Sequence, residues 1–220
     1  DLEITTFDPH APSHGALVGP WRVLERLDSG SFGIVYKVAL ASDSSRTAAM
    51  KLASRAGDPR FEREAVLGSR VHNPYLPCFL DAGEWESPGG WRFPYIVMEL
   101  VEGIPLYQWA AITGRRLSSR RVLQLLAQLA RALEEVHQHG LHRDVKGDNI
   151  LVRGDGTAVL LDLGACWIRG AQTLTVGSLP PGTPIYRSPE AVAFRERFRR
   201  DSEARYETRP SAWIEPVDVP

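Results

Sequence analysis

An α+β fold of two lobes is expected from this sequence, the first an antiparallel sheet with one helix, the second mainly helical. Three observations carry that expectation. Between Trp21 and Val101, short runs of β-branched and aromatic residues alternate with turns rich in glycine, serine and proline. One helical stretch interrupts them after Asp58. Beyond Gly103, apolar residues recur at three- and four-residue spacing. With 220 residues and 43% hydrophobic content, the chain can bury one substantial core or two smaller ones.

Residues 1–20 hold three prolines, two histidines and two glycines without apolar periodicity, and read as an N-terminal extension, with order starting near Trp21. The first lobe is expected over 21–102. It opens with strands at Trp21–Leu27 and Ile34–Leu40 around the loop Asp28-Ser29-Gly30-Ser31-Phe32-Gly33, which has too many small residues for a helix. A third strand runs from Thr47 to Ala53. A helix follows from Pro59 to about Val71, with Phe61, Ala65 and Val66 on one face. Strands Leu80–Trp85 and Trp91–Val101 flank the hairpin turn Ser87-Pro88-Gly89-Gly90. The second lobe is expected over 103–220. Its main helix runs from a cap at Ser118 or Ser119 to a stop at Gly140, with Val122, Leu125, Leu126, Leu129, Leu133 and Val136 as the core-facing stripe. A loop, a short strand Asn149–Val152, a turn Arg153-Gly154-Asp155-Gly156 and a strand Thr157–Asp162 follow.

A net charge of −1 gives no global basic field, so no nucleic-acid partner is expected and any phosphate site must be local. Cys78 and Cys166 lack metal or disulfide-framework spacing, which fits a reducing compartment. No run reaches the ~18 apolar residues of a membrane span, and Asp1–His14 has no signal-peptide pattern, so a cytoplasmic location is expected. Among 26 basic residues only Lys37, Lys51 and Lys146 are lysine. A GC-rich genome explains the arginine bias, and a need for a compact ammonium explains lysine at positions 51 and 146.

Transferring a phosphoryl group needs the phosphates held, cations over their oxygens, and a base near the acceptor hydroxyl. Each need has candidates. The loop Gly30-Ser31-Phe32-Gly33-Ile34-Val35 lets backbone N–H groups approach phosphates where a Cβ would block them. Lys51 sits in Ala48-Ala49-Met50-Lys51, and Glu64, thirteen positions on, lies on the helix. Further along come Leu141-His142-Arg143-Asp144-Val145-Lys146-Gly147-Asp148-Asn149-Ile150-Leu151-Val152, then Asp162-Leu163-Gly164, then Gly182-Thr183-Pro184-Ile185-Tyr186-Arg187-Ser188-Pro189-Glu190.

These strings, from Trp21 to about Glu190, resemble the eukaryotic-like (Hanks-type) serine/threonine protein kinases: GxGxFGxV, VAIK, HRDxKxxN, DFG and GTxxYxxPE, in that order. The resemblance implies a two-lobed protein-kinase-like fold that uses ATP and Mg²⁺ and phosphorylates Ser or Thr of protein substrates. It implies that Asp144 takes the hydroxyl proton, that Lys146 neutralises the transferred phosphoryl, and that Lys51, oriented by Glu64, holds the α- and β-phosphates. Asn149 and Asp162 are implied as Mg²⁺ ligands. The implied nucleotide-binding set is Gly30, Ser31, Phe32, Gly33, Val35, Ala49, Lys51, Met98, Glu99 and Val101, with adenine meeting the backbone at Glu99 and Val101. In the activation segment, Thr173, Thr175 and Ser178 are candidate phosphosites or ordinary polar loop residues, and Thr183 belongs to its closing motif. Arg143 would clamp a phosphate there. His142 is read as a packed core histidine.

The sequence departs from the family at Asp28, where the first glycine is expected, at Leu163 for Phe and at Ser188 for Ala. Residues 191–220 lack the family's long buried helix, so the helical lobe is expected to be incomplete, to bind nucleotide weakly and to turn over slowly. A pseudokinase-like scaffold is the alternative function. A small-molecule phosphotransferase is disfavoured by the segment Gly182–Glu190.

Overall fold

β-Branched and small residues between Trp21 and Met98 form long strands because each strand has one face to bury. The computed structural model describes residues 11–30, 33–114, 117–169, 183–186, 188–190 and 192–193. The chain divides into two units, Asp1–Glu102 and Gly103–Pro220.

The first unit holds β1 (Leu17–Val18), β2 (Trp21–Gly30), β3 (Gly33–Leu40), β4 (Asp43–Ala53), α1 (Pro59–Gly68), β5 (Phe79–Glu86) and β6 (Arg92–Met98). The six strands form one sheet in the order β1-β2-β3-β4-β6-β5. Order begins before Trp21: Leu17 and Val18 pair with Arg22 and Trp21, and Val18 is fully buried, although the surrounding composition reads as linker. The strand carrying Lys51 also begins earlier than expected, at Asp43, because residues 43–47 are exposed hairpin and carry no apolar signal. One sheet face packs Val23, Tyr36, Val38, Met50, Leu52, Tyr95 and Val97 into a core. Trp21 Nε1 donates to Asp81 Oδ2 at 2.8 Å, tying β2 to the far edge strand β5. Tyr95 lies close against Gly19 and Gly83, where an added Cβ would meet its hydroxyl.

Asp58 caps α1, its carboxylate accepting from the Arg60 N–H at 3.0 Å, and Pro59 begins the helix. The helix ends at Gly68, short of Val71. Its buried face is Phe61, Glu64 and Leu67, while Val66 is exposed. Glu64, expected to orient Lys51, is on the buried face, whereas Val66, expected to share a face with Phe61 and Ala65, is not.

The second unit contains β7 (Ile104–Pro105), α2 (Leu106–Thr113), α3 (Ser119–His139), β8 (Gly140–Leu141), β9 (Ile150–Val152), β10 (Ala158–Leu160) and β11 (Trp167–Ile168). Strands β10, β9 and β7 form one small sheet and β11 with β8 another. Ser118 caps α3 through the Arg121 N–H at 3.3 Å, and the Gly140 N–H bonds the Val136 carbonyl at the other end. The expected stripe is corrected: Leu125, Leu129, Ala132 and Val136 are buried, but Val122 and Leu126 are exposed. Among the described elements, the helix packs chiefly against β10 and β8. Gln128 Oε1 accepts from the Ala158 N–H at 2.8 Å, giving β10 a partner on the helix. Asn149 belongs to a 3-10 turn, Gly147–Asn149, and not to the following strand. Among the described residues no helix is long and apolar enough to cross a membrane.

Candidate active site

In the first unit, Val35 lies opposite Lys51, and Ala49 opposite Met98. Directly opposed residues share a face and so do residues two apart, which puts all four side chains on the sheet face away from the core. At the β2–β3 turn, Gly33 is obligatory: a Cβ there would lie 2.5 Å from the Leu52 carbonyl oxygen and 3.2 Å from the Phe61 ring. Ser31 and Phe32 lie outside the described residues.

Lys51 Nζ donates to both Glu64 carboxylate oxygens, at 3.0 and 2.8 Å, and stands 5.6 Å from the centre of the Phe61 ring. Both partners are buried. A lone buried charge costs several kcal/mol, roughly, whereas a two-point charge-assisted pair offsets much of it. The helix face carrying Phe61 and Glu64 therefore turns inward because Lys51 is there to meet it. The result is an ammonium at a fixed place on the sheet. Glu99 lies just past β6, and its N–H bonds the Cys78 carbonyl at 2.8 Å. Val101 is buried two residues on.

In the second unit the loop after β8 turns sharply. Arg143 has φ 64° and Asp162 has φ 59°, both in the left-handed region, where a non-glycine residue costs on the order of 1–3 kcal/mol. The loop is held by several bonds. Arg143 Nε donates to the Ala165 carbonyl at 2.9 Å, and the Gly164 N–H to Asp162 Oδ1 at 3.1 Å. Leu141 pairs with Trp167 across β8 and β11.

His142 is buried as a core residue. Its Nε2 bonds the Leu161 carbonyl at 3.2 Å, which makes Nε2 the protonated nitrogen and leaves Nδ1 to accept from the Asp144 N–H at 3.4 Å. Burial pushes its pKa down, with the Leu161 carbonyl and the carboxylates of Asp162 and Asp144 partly opposing. The ring is a neutral spacer that orients the Asp144 backbone.

Asp144 is ringed by donors. Its Oδ1 accepts from the Thr183 N–H at 2.8 Å and the Thr183 hydroxyl at 2.9 Å; its Oδ2 faces Lys146 Nζ at 3.1 Å and Asn149 Nδ2 at 3.2 Å. Lys146 Nζ also donates to the Thr183 hydroxyl at 2.9 Å. Burial works to raise the Asp144 pKa, but hydrogen bonds from Lys146 and Thr183 outweigh it and hold the carboxyl below its ordinary value. At neutral pH the group is a carboxylate able to accept a proton in a hydrogen bond.

Asn149 and Asp162 are linked through the backbone, the Leu161 N–H bonding the Asn149 carbonyl at 2.7 Å. The Asn149 amide nitrogen is committed to Asp144, so its ligand-facing atom is Oδ1. Among the described residues no cluster of three or more His, Cys, Asp or Glu forms a metal cage. Two hard oxygen-donor side chains suit Mg²⁺ whose other ligands are phosphate oxygens and water.

Within each unit, the structure brings the expected residues together: Lys51 with Glu64, and Asp144 with Lys146 and Asn149. Thr173, Thr175 and Ser178 lie outside the described residues. Sequence reasoning missed Thr183 as the hydrogen-bond partner of Asp144 and Lys146. The only signal was its place in the string Gly182–Glu190, because 39 residues separate it from Asp144 and no local spacing rule spans that distance.

Residues 21–210 match the protein kinase domain family. The serine/threonine-protein kinase PknA of Mycobacterium tuberculosis is 36% identical over 180 residues, covering 79% of this chain and 42% of the relative. PknB of Mycolicibacterium smegmatis is 34% identical over 185 residues, covering 78% of this chain and 29% of the relative. The chain thus spans less than half the length of these curated relatives. The crystal structure of a mutant of the Mycobacterium tuberculosis PknI kinase domain superposes with TM-score 0.57 and 29% identity, over 70% of this chain and 63% of that one.

Proposed function

We propose that this chain, which belongs to the protein kinase family, transfers the γ-phosphate of ATP to serine or threonine hydroxyls of protein substrates. The observation that carries this reading is the ionised Asp144 carboxylate held between Lys146, Asn149 and Thr183.

The acceptor oxygen bonds to the γ-phosphorus as the bond from that phosphorus to the β,γ-bridging oxygen breaks. The hydroxyl proton passes to the Asp144 carboxylate, and ADP and a phosphoester leave. Lys146 offsets negative charge on the moving phosphoryl, while its bond to Thr183 keeps the ammonium placed. Lys51, fixed by Glu64, meets the α- and β-phosphates. Val35, Ala49 and Met98 give adenine an apolar face, and the main chain at Glu99 and Val101 supplies its polar contacts. Gly30, Ser31, Phe32 and Gly33 cover the phosphates. Asn149 Oδ1 and Asp162 would hold Mg²⁺, which when bound neutralises phosphate charge.

Cys78 is exposed and Cys166 buried with its Sγ against the His142 carbonyl, and their lack of framework spacing fits work in the reducing cytoplasm. We place the segment's functional parts at 1–20 (extension), 21–102 (nucleotide lobe) and 103–220 (catalytic lobe).

A radiolabelled-ATP assay on a generic basic protein tests the reading. Asp144→Asn should lower single-turnover phosphorylation roughly 10²–10⁴-fold with nucleotide affinity retained. Thr183→Ala should lower it less, and Thr183→Ser should restore it. Incorporation by Asp144→Asn equal to that of the unsubstituted chain would remove the assignment.

A further inference from the structure

We propose that Asp28 makes nucleotide binding to this chain selective for the magnesium-complexed triphosphate over the free polyanion. The inference deepens the function proposed above and rests on it.

The geometry comes from a bulge in β2. Arg26 pairs with Tyr36, and a register shift then brings Asp28, not Leu27, opposite Val35. Strict alternation would put Leu27 on that face; the extra residue re-aims the strand. Val35 in turn lies opposite Lys51, so Asp28, Val35 and Lys51 form one cross-strand row. The Asp28 carboxylate therefore shares the sheet face that carries Ala49, Met98 and the Lys51 ammonium.

The two lysines of this face are each already matched by a carboxylate. Lys51 is matched by Glu64 at 2.8 Å, and Lys37 by Glu25 at 3.4 Å. Asp28 accepts from the adjacent Ser29 N–H at 2.7 Å and, among the described residues, is matched by no cation. A backbone dipole offsets less than a full charge. One net negative charge is left at the end of the row that leads to Lys51.

A free triphosphate brings about four negative charges and its magnesium complex about two, so the repulsion from Asp28 is roughly twice as large for the free form. The carboxylate is exposed, so salt weakens the effect over a distance of about 8–10 Å. The residue leaves the face open to nucleotide but penalises nucleotide that arrives without its metal.

The test is equilibrium binding of ATP by the 220-residue chain, with excess Mg²⁺ and with EDTA, at low and at high salt. Asp28→Asn and Asp28→Gly should tighten binding of free ATP about threefold or more beyond any change for the magnesium complex, and high salt should shrink that difference. Asp28→Glu should keep the discrimination. If the unsubstituted chain binds ATP but Asp28→Asn leaves the ratio of the two affinities unchanged, Asp28 has no such role and the nucleotide reading stands. If neither the unsubstituted chain nor any variant binds either form, both readings fall. Because Asp28 is exposed, matched melting curves should accompany every variant.

Discussion

Two titratable groups in the second unit respond to pH in different windows. His142 is held neutral by burial, so its folded pKa lies below the ordinary value of about 6.5. Below about pH 6.5 the unfolded chain binds more protons than the folded one, so stability present at neutral pH is lost as pH falls toward the folded pKa. The melting temperature should therefore drop between about pH 7 and pH 5.5. In His142→Gln that slope should flatten, even if the variant is less stable throughout. An unchanged slope would remove His142 as the cause. Asp144 also has a lowered pKa, but its stabilisation is present above its unfolded value of about 3.9 and is lost only below it. It adds nothing to the window near neutrality. Spacing in the sequence singles out both residues and Lys146, yet not the hydrogen bonds from Thr183 that help to hold Asp144 ionised. Thr183 enters only because the chain returns across 39 residues.

Among the helices, α1 shows what a pattern of apolar residues can and cannot tell. Its start is written locally: Asp58 and Pro59 form a capping sequence wherever they occur before a helix. Its inward face is not, because Glu64 is buried against Lys51 on another element. The Asp58 side chain, buried and 3.3 Å from Arg60 Nε, caps the helix that carries Glu64. Asp58→Ala should cost about 1–2 kcal/mol, read as a lower urea midpoint with unchanged slope. A midpoint equal to that of the unsubstituted chain would show that the cap contributes nothing. The α3 ends are equally legible, from Ser118 and Gly140, whereas short pairings such as β8 with β11 carry too few residues for any periodic signal.

Among the described residues, both units leave large apolar side chains exposed, Trp91 and Leu17 in the first among them. The first closes its sheet from β2 to β5 through Trp21 and Asp81. In the second, Leu123 is 65% and Leu126 56% exposed on α3, with Ile112 of α2 77% exposed. Exposed apolar residues on one helix favour self-association. Leu126→Glu should leave the melting temperature nearly unchanged and reduce aggregate in light scattering at high protein concentration. A large loss of stability would instead mean that Leu126 packs in solution.

The order of the catalytic strings, the helix caps and the glycine turn can be read from the amino acids alone, because each depends on residues a few positions apart. Which charges are buried, and which residue faces the ligand side of the sheet, depends on the folded chain. Glu64 turns inward to meet Lys51, Thr183 closes on Asp144, and a one-residue bulge puts Asp28 in the place of Leu27. The cause is common to all three: the energy of a charge or hydrogen-bonding group depends on partners distant along the chain, and only folding brings them within reach.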